Sequence, residues 1–150
     1  MNNHQGVRMD SYKALLGEIL IERKRITRRQ LETALGRQRQ ENGFIGEILV
    51  KLGFIVEQDI VAALVVQSGL AYIAVNKYTI DPAIVRLIPF EVAQKEKTIP
   101  LDRIGDILSV VMINPLTEDK KNFLESLTQC TIAAFISTKT EIEEAIARNY

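Results

Sequence analysis

Five cations stand within seven residues in Arg23-Lys24-Arg25-Ile26-Thr27-Arg28-Arg29. Guanidinium groups grip carboxylates and phosphates through paired hydrogen bonds, so the cluster suits an acidic protein partner or a ligand phosphate. A solvated helix–turn face is the other reading. Anionic lipid is a third, although seven residues make a small patch for a membrane. Nucleic acid fits less well, because no aromatic side chain interleaves the cations to stack on bases. Arg23, Lys24, Arg25, Arg28 and Arg29 are therefore the candidate docking residues.

The remaining reactive side chains form no catalytic set. The sole histidine, His4, lies in the N-terminal stretch MNNHQGVRMD, which reads as a loose tail over residues 1–11. One His and one Cys cannot make a zinc site. Cys130 precedes an apolar run and reads as a small core residue; a lone cysteine also excludes an intrachain disulfide and fits a reducing compartment. Asp102 and Asp106 flank a turn containing Gly105, and a solvated turn explains them. Glu118-Asp119 reads as first-turn charge favouring the helix dipole. None of the eight glycines belongs to a phosphate loop of the Gly-x-x-x-x-Gly-Lys-Ser/Thr kind or to Gly-x-Gly-x-x-Gly. The chain itself is expected to hold no metal and to catalyse nothing.

Glycines and glutamines instead recur at a fixed offset. Leu15–Gln38 repeats as Phe44–Gln67, shifted by 29 residues, with Arg39–Gly43 as a five-residue spacer. Gly17-Glu18 matches Gly46-Glu47, and Ile19-Leu20 matches Ile48-Leu49. Ile26 matches Ile55, Leu31 matches Ile60, and Ala34-Leu35 matches Ala63-Leu64. Such self-similarity marks one supersecondary unit made twice, each copy burying the other's apolar face.

Each frame must be two short helices. Leu15, Leu16, Ile19 and Leu20 recur at helical spacing. Thr27 then reads as an N-cap with Gln30 as its capping-box partner, ahead of a stripe of Leu31, Ala34 and Leu35. In the second frame Ile45, Ile48, Leu49 and Leu52 lead to Gly53, a helix C-cap, and Ile60, Ala63, Leu64 and Gln67 follow. Gly69 closes the repeat. Beyond it Tyr72–Val75 is short and apolar, and Asp81-Pro82 opens a helix through about Leu87. Pro89 breaks that helix, and Phe90–Lys95 forms another. Thr98–Leu101 and Ile107–Ile113 read as a hairpin around an Asp102–Asp106 turn. A helix over Glu118–Leu127 turns Phe123, Leu124 and Leu127 inward. Thr131–Ile136 is a buried strand. Thr138 caps a last helix, with Glu141 as the box partner and Ile142, Ala145 and Ile146 as its apolar face.

The expected fold is α+β: a tandem helical repeat of about four helices over residues 12–70, packed on a small α/β lobe of about three strands over residues 71–150. A hydrophobic fraction of 47% and a charged fraction of 25% are those of an ordinary soluble globule. Zero formal net charge argues against a dedicated nucleic-acid binder. Residues 1–43 nevertheless carry nine Lys/Arg against five Asp/Glu, and the rest carries the compensating acid. No apolar run approaches the length of a membrane span. The expected location is the cytoplasm.

The frames Leu15-Leu16-Gly17 … Leu20-Ile21 … Lys24 … Leu31 … Leu35 … Gln38 and Phe44-Ile45-Gly46 … Leu49-Val50 … Gly53-Phe54-Ile55 … Ile60 … Leu64 … Gln67 resemble the N-terminal domain of type II secretion and type IV pilus assembly ATPases. Asp81-Pro82 to Leu87-Ile88-Pro89, Ile99-Pro100-Leu101, Met112-Ile113-Asn114-Pro115-Leu116 and Glu141-Ile142-Glu143-Glu144-Ala145-Ile146 resemble later segments of the same domain. The likeness runs from about Leu15 to the end of the chain.

That resemblance implies a non-catalytic domain ahead of an ATPase core, docking the motor to the cytoplasmic part of an inner-membrane assembly-platform protein. The chain is then either an excised domain or a stand-alone relative. In some family members the tandem frame also binds cyclic di-GMP, which makes Leu15, Leu16, Gly17, Leu20, Lys24, Leu35 and Gln38 candidate ligand residues in the first frame. In the second they are Phe44, Ile45, Gly46, Leu49, Gly53, Leu64 and Gln67. The family's leading Arg is Leu15 and Phe44 here, and the first frame's internal Gly is Lys24. Losing a hydrogen bond to a charged group costs about 1.5–3 kcal/mol, or about one to two orders of magnitude in affinity. Phe44 offers a ring to stack on a base instead. The competing explanation of the glycines and aliphatics is helix-hairpin packing alone.

Overall fold

The computed structural model describes residues 16–150. Leu15, His4 and the expected tail over 1–11 lie outside the described residues. The chain divides into two compact units, with the boundary between Gln67 and Ser68.

The first unit holds α1 (residues 16–22), α2 (Arg28–Gln40), α3 (Ile45–Lys51) and α4 (Glu57–Ser68). Two devices set these ends. Thr27 closes the capping box at α2: its Oγ1 accepts from Gln30 N–H at 3.2 Å, while its own N–H donates to Gln30 Oε1 at 2.9 Å. Gly53, with φ +76°, adopts the left-handed conformation that ends α3. The inward face carries Leu16, Leu20, Leu31, Ala34, Ile48, Leu49, Ala63 and Leu64, all buried. Each fully buried Leu or Ile contributes about 1.5–3 kcal/mol relative to exposure. Leu35 and Ile60 are only half-buried.

The second unit follows with a 3-10 turn at Val75–Lys77, α5 (Pro82–Val85), α6 (Phe90–Glu96), β1 (Thr98–Ile104), β2 (Ile107–Met112), α7 (Glu118–Thr128), β3 (Thr131–Ile136) and α8 (Lys139–Asn149). The sheet order is β1-β2-β3. β1 pairs antiparallel with β2, and β3 returns through α7 to pair parallel with β2. Helices α5, α6 and α8 pack on β1, and α7 packs on β3. Ile99, Leu108, Val110, Met112, Leu124, Ile136 and Ile142 fill the core at 1% exposure or less. The β3 edge is closed at one end by residues 71–73, where Ile73 N–H donates to Ile136 O and Ile136 N–H donates to Ala71 O. At the other end the Glu125 carboxylate accepts from Ile132 N–H.

Three local expectations are corrected. The hairpin turn is tighter than the five residues expected: Asp102 and Arg103 lie within β1, opposite Ser109 and Leu108, leaving Gly105 and Asp106 as the turn. The ladder absorbs the difference through a register shift at Leu101. α5 ends at Val85 rather than near Leu87, because Arg86 and Leu87 continue only as turns toward Pro89. On α7, Leu124 is buried with Thr128, one turn further on, while Phe123 and Leu127 are 48% and 39% exposed. One step of 100° separates the two stripes, and β3 takes up only one of them.

Candidate functional site

The 29-residue offset holds at the level of individual hydrogen bonds. At the end of α1, Arg23 N–H donates to Ile19 O, Lys24 N–H to Ile21 O and Arg25 N–H to Leu20 O, each at 2.9 Å. At the end of α3, Leu52 N–H donates to Ile48 O, Gly53 N–H to Val50 O and Phe54 N–H to Leu49 O, at 2.9, 2.9 and 3.1 Å. Both are Schellman closures, whose left-handed residue is Gly53 in one frame and Lys24, with φ +57°, in the other. Ile26 and Ile55 then turn inward, at 4% and 7% exposure. Half of the capping box repeats as well, since Val56 N–H donates to Asp59 Oδ2 at 3.2 Å where Thr27 N–H meets Gln30.

The paired glycines also serve an equivalent contact in each frame. A Cβ on Gly17 would lie 2.6 and 2.8 Å from the two Leu31 methyl carbons. A Cβ on Gly46 would lie 2.9 Å from Ile60 Cδ1 and 3.2 Å from Cγ2. Leu31 and Ile60 are themselves one offset apart. Each glycine is thus the place where the first helix of a frame meets the second, a contact no hydrophobic pattern in the sequence reveals.

The fourteen candidate ligand residues separate by burial. Leu16, Leu20, Ile45, Leu49 and Leu64 are at 3% exposure or less and build the helix packing. Gly17 and Gly46 are buried beside them, and Leu35 and Gln67 are half-buried. Gln38, also half-buried, donates from Nε2 to Gly43 O at 2.9 Å and ties the end of α2 to the spacer. Lys24, Phe44 and Gly53 present themselves to solvent. Phe44 is the N-cap residue of α3, contributes no capping hydrogen bond and is 38% exposed. Leu15, its counterpart, lies outside the described residues.

Arg23, Lys24, Arg25, Arg28 and Arg29 are all exposed around the α1–α2 turn, while Ile26 between them is buried. Two of the five are engaged. Arg28 makes a bidentate pair with Glu18, both bonds at 3.0 Å. These hydrogen bonds hold the Glu18 carboxyl below its ordinary range and push the Arg28 guanidinium further up. Arg25 lies 3.4 Å from Asp59, the residue that also closes the α4 turn. Arg23, Lys24 and Arg29 have no ion pair among the described residues. Glu18 and Asp59 were not candidates from the sequence, because they stand 10 and 34 positions from their arginines.

In the second unit Pro82, Val85, Arg86, Ile88, Pro89, Phe90, Asn149 and Tyr150 line an open groove of about 450 Å³. The Tyr150 hydroxyl donates to Ile88 O at 2.7 Å, and burial pushes its phenol up to about 12. Among the described residues no cluster of His, Cys, Asp or Glu side chains could hold a metal ion, and no helix is long and apolar enough to cross a membrane.

The MshEN domain model matches residues 68–150, which are also the second unit. The type IV pilus assembly ATPase PilB of Myxococcus xanthus is 34% identical over 135 residues, spanning 90% of this chain and 24% of that protein. PilB of Thermus thermophilus is 29% identical over 137 residues, spanning 90% of this chain and 15% of that protein. The chain therefore spans less than a quarter of the length of these curated relatives. Among solved structures, MshE with cdg superposes at a TM-score of 0.75 and 26% identity, covering 90% of this chain and 98% of that one. The N-terminal domain of XpsE superposes at a TM-score of 0.77 and 19% identity over 91% of this chain and 94% of that one, which speaks to the fold alone.

Proposed function

The chain belongs to the MshEN domain family, and from that premise we propose that it docks a type II secretion or type IV pilus assembly ATPase to an inner-membrane assembly-platform protein. Its family and fold are those of the non-catalytic N-terminal domains of such ATPases. The observation that carries the docking reading is the α1–α2 turn, where three exposed cations lack an ion pair among the described residues. Unpaired exposed charge steers an oppositely charged partner and sets the orientation in which it lands. Contact there biases the arrangement of whatever domain follows, by differential affinity for two states. Co-precipitation with the cytoplasmic part of the assembly-platform protein tests this. Capture by the wild-type chain supports docking, and no capture at low salt refutes it.

A second reading, cyclic di-GMP binding by the tandem frames, is favoured by the likeness to MshE solved with cdg. It gains support from the matching helix closures and glycine contacts of the two frames, since a ligand of two guanylate halves can meet one frame with each half. Calorimetric titration with cyclic di-GMP, against GMP and ATP, separates the readings. Micromolar binding weakened by Phe44→Ala supports a sensor; no heat at millimolar ligand leaves the repeat as a scaffold. Large substitutions at Gly46 are unsuitable here, because they would strike Ile60 before they reached a ligand.

A further inference from the structure

We infer that the two frames have diverged into chemically unlike surfaces, and that the outer face of the first is a dock for an acidic protein segment. This deepens the docking reading above and rests on it. The constant offset allows position-by-position comparison. Arg23, Lys24 and Arg25 stand where the second frame has Leu52, Gly53 and Phe54. Arg28 and Arg29 stand where it has Glu57 and Gln58, and Arg37 and Arg39 where it has Val66 and Ser68. All seven cations are exposed, and none of their counterparts is a cation. Residues 15–43 hold seven cations and four acids, whereas 44–68 hold one cation and three acids. Packing does not require this difference, because the helix order, the closures and the positions of the glycine contacts recur in both frames. Lys24 even occupies a left-handed position that Gly53 fills without a side chain in the way.

Part of the charge is spent internally, on Glu18, Asp59 and Glu41. Arg23, Lys24, Arg29 and Arg39 keep no ion pair among the described residues. Three features select the partner. No aromatic residue occurs between Ile21 and Gly43, so there is no stacking platform for nucleic acid. Of the two leucines of α2, Leu31 is buried and Leu35 half-buried, so the helix offers no fully exposed large apolar side chain to a bilayer. Glu22 stands directly before Arg23 and Glu32 lies between Arg29 and Arg37, and this mixed charge suits residue-by-residue pairing with carboxylates better than a flat anionic surface. Arg29 and Arg39 stand ten residues apart on α2, about 15 Å along its axis. An extended acidic segment of about five residues spans that distance.

The test is fluorescence anisotropy of a labelled octapeptide of alternating Asp and Glu against the whole chain, at 20 and 150 mM salt, with thermal melts to show that each variant folds. The expected result is salt-sensitive binding, weakened at least tenfold by Arg23→Glu/Arg29→Glu and less than twofold by the second-frame pair Gln58→Glu/Val66→Glu. Absence of binding at 20 mM salt, equal losses in both variants, or tighter binding to phosphatidylserine vesicles or a single-stranded oligonucleotide than to the peptide overturns the assignment. Co-precipitation keeps the two readings apart. If the assembly-platform protein is captured equally by wild type and Arg23→Glu/Arg29→Glu, docking stands and this surface is wrong. If the peptide binds as expected and the platform protein is not captured, the acidic dock stands and its proposed partner is wrong.

Discussion

Three helical glycines, Gly17, Gly36 and Gly46, share one propensity and differ in the room around them, which makes them a controlled experiment. Replacing an open helical glycine by alanine stabilises by about 0.8–1 kcal/mol. At Gly36 a Cβ would meet nothing within 4 Å, so Gly36→Ala is expected to gain that amount. At Gly17 the new carbon would sit 2.6 and 2.8 Å from the Leu31 methyls and 3.3 Å from Cγ, so the whole Leu31 side chain must move. Leu31 is 5% exposed, and overpacking a filled core costs about 1–3 kcal/mol. The net for Gly17→Ala is a loss of about 1 kcal/mol. At Gly46 the closest atom is the free end of the half-buried Ile60 at 2.9 Å, which can swing aside, so Gly46→Ala should be near neutral. The order Gly36→Ala above wild type, Gly46→Ala beside it and Gly17→Ala below it is read from urea midpoints at constant slope. Adding Leu31→Val to Gly17→Ala should recover part of the loss, because the two groups compete for one space. If all three alanine variants gain stability alike, or if Leu31→Val simply adds its own loss, the close-contact reasoning is wrong.

Lys24→Gly should stabilise the chain by about 1 kcal/mol, since a left-handed residue with a Cβ is strained by about that much, and Gly53→Lys should lose a similar amount; both are read by urea unfolding. Thr138→Ala removes the Oγ1 that accepts from Glu141 N–H at 3.1 Å and should cost about 1 kcal/mol. Burial raises the Glu141 carboxyl, but hydrogen bonds from Ser137, Tyr72 and Thr138 outweigh it and hold the group below its ordinary value. Its contribution is present above the unfolded pKa and is lost as pH falls through the lower folded value, so Glu141→Gln should flatten the acid side of the melting-temperature profile. Tyr150 behaves in the opposite sense: its raised phenol contributes stability that is lost as pH rises from about 10 to about 12, and Tyr150→Phe should remove that alkaline step.

Much of both units was legible because the signals are local. The Thr27 and Thr138 capping boxes, the Gly53 closure and the Ile142, Ala145 and Ile146 face each depend on residues within four positions of one another. The Asp81 cap was equally legible, since its carboxylate accepts from Ala83 N–H two residues on. Phe123 and Leu127 were misplaced because an apolar side chain on a helix does not say which neighbour arrives to cover it. The hairpin was read too wide because Asp102 and Arg103 are turn-like by type, yet the ladder to Leu108 and Ser109 holds them in the strand.

The sequence by itself determined the 29-residue period, the α+β class and the family likeness, because periodicity and cap chemistry are written in neighbouring residues. Tertiary structure alone decided which surface atoms are available. It placed Leu31 and Ile60 against Gly17 and Gly46, joined Arg28 to Glu18 and Arg25 to Asp59, and thereby left Arg23, Lys24 and Arg29 without ion pairs among the described residues. Those pairings span from 10 to 34 positions, and at such separation contact is settled by how helices pack rather than by any pattern along the chain.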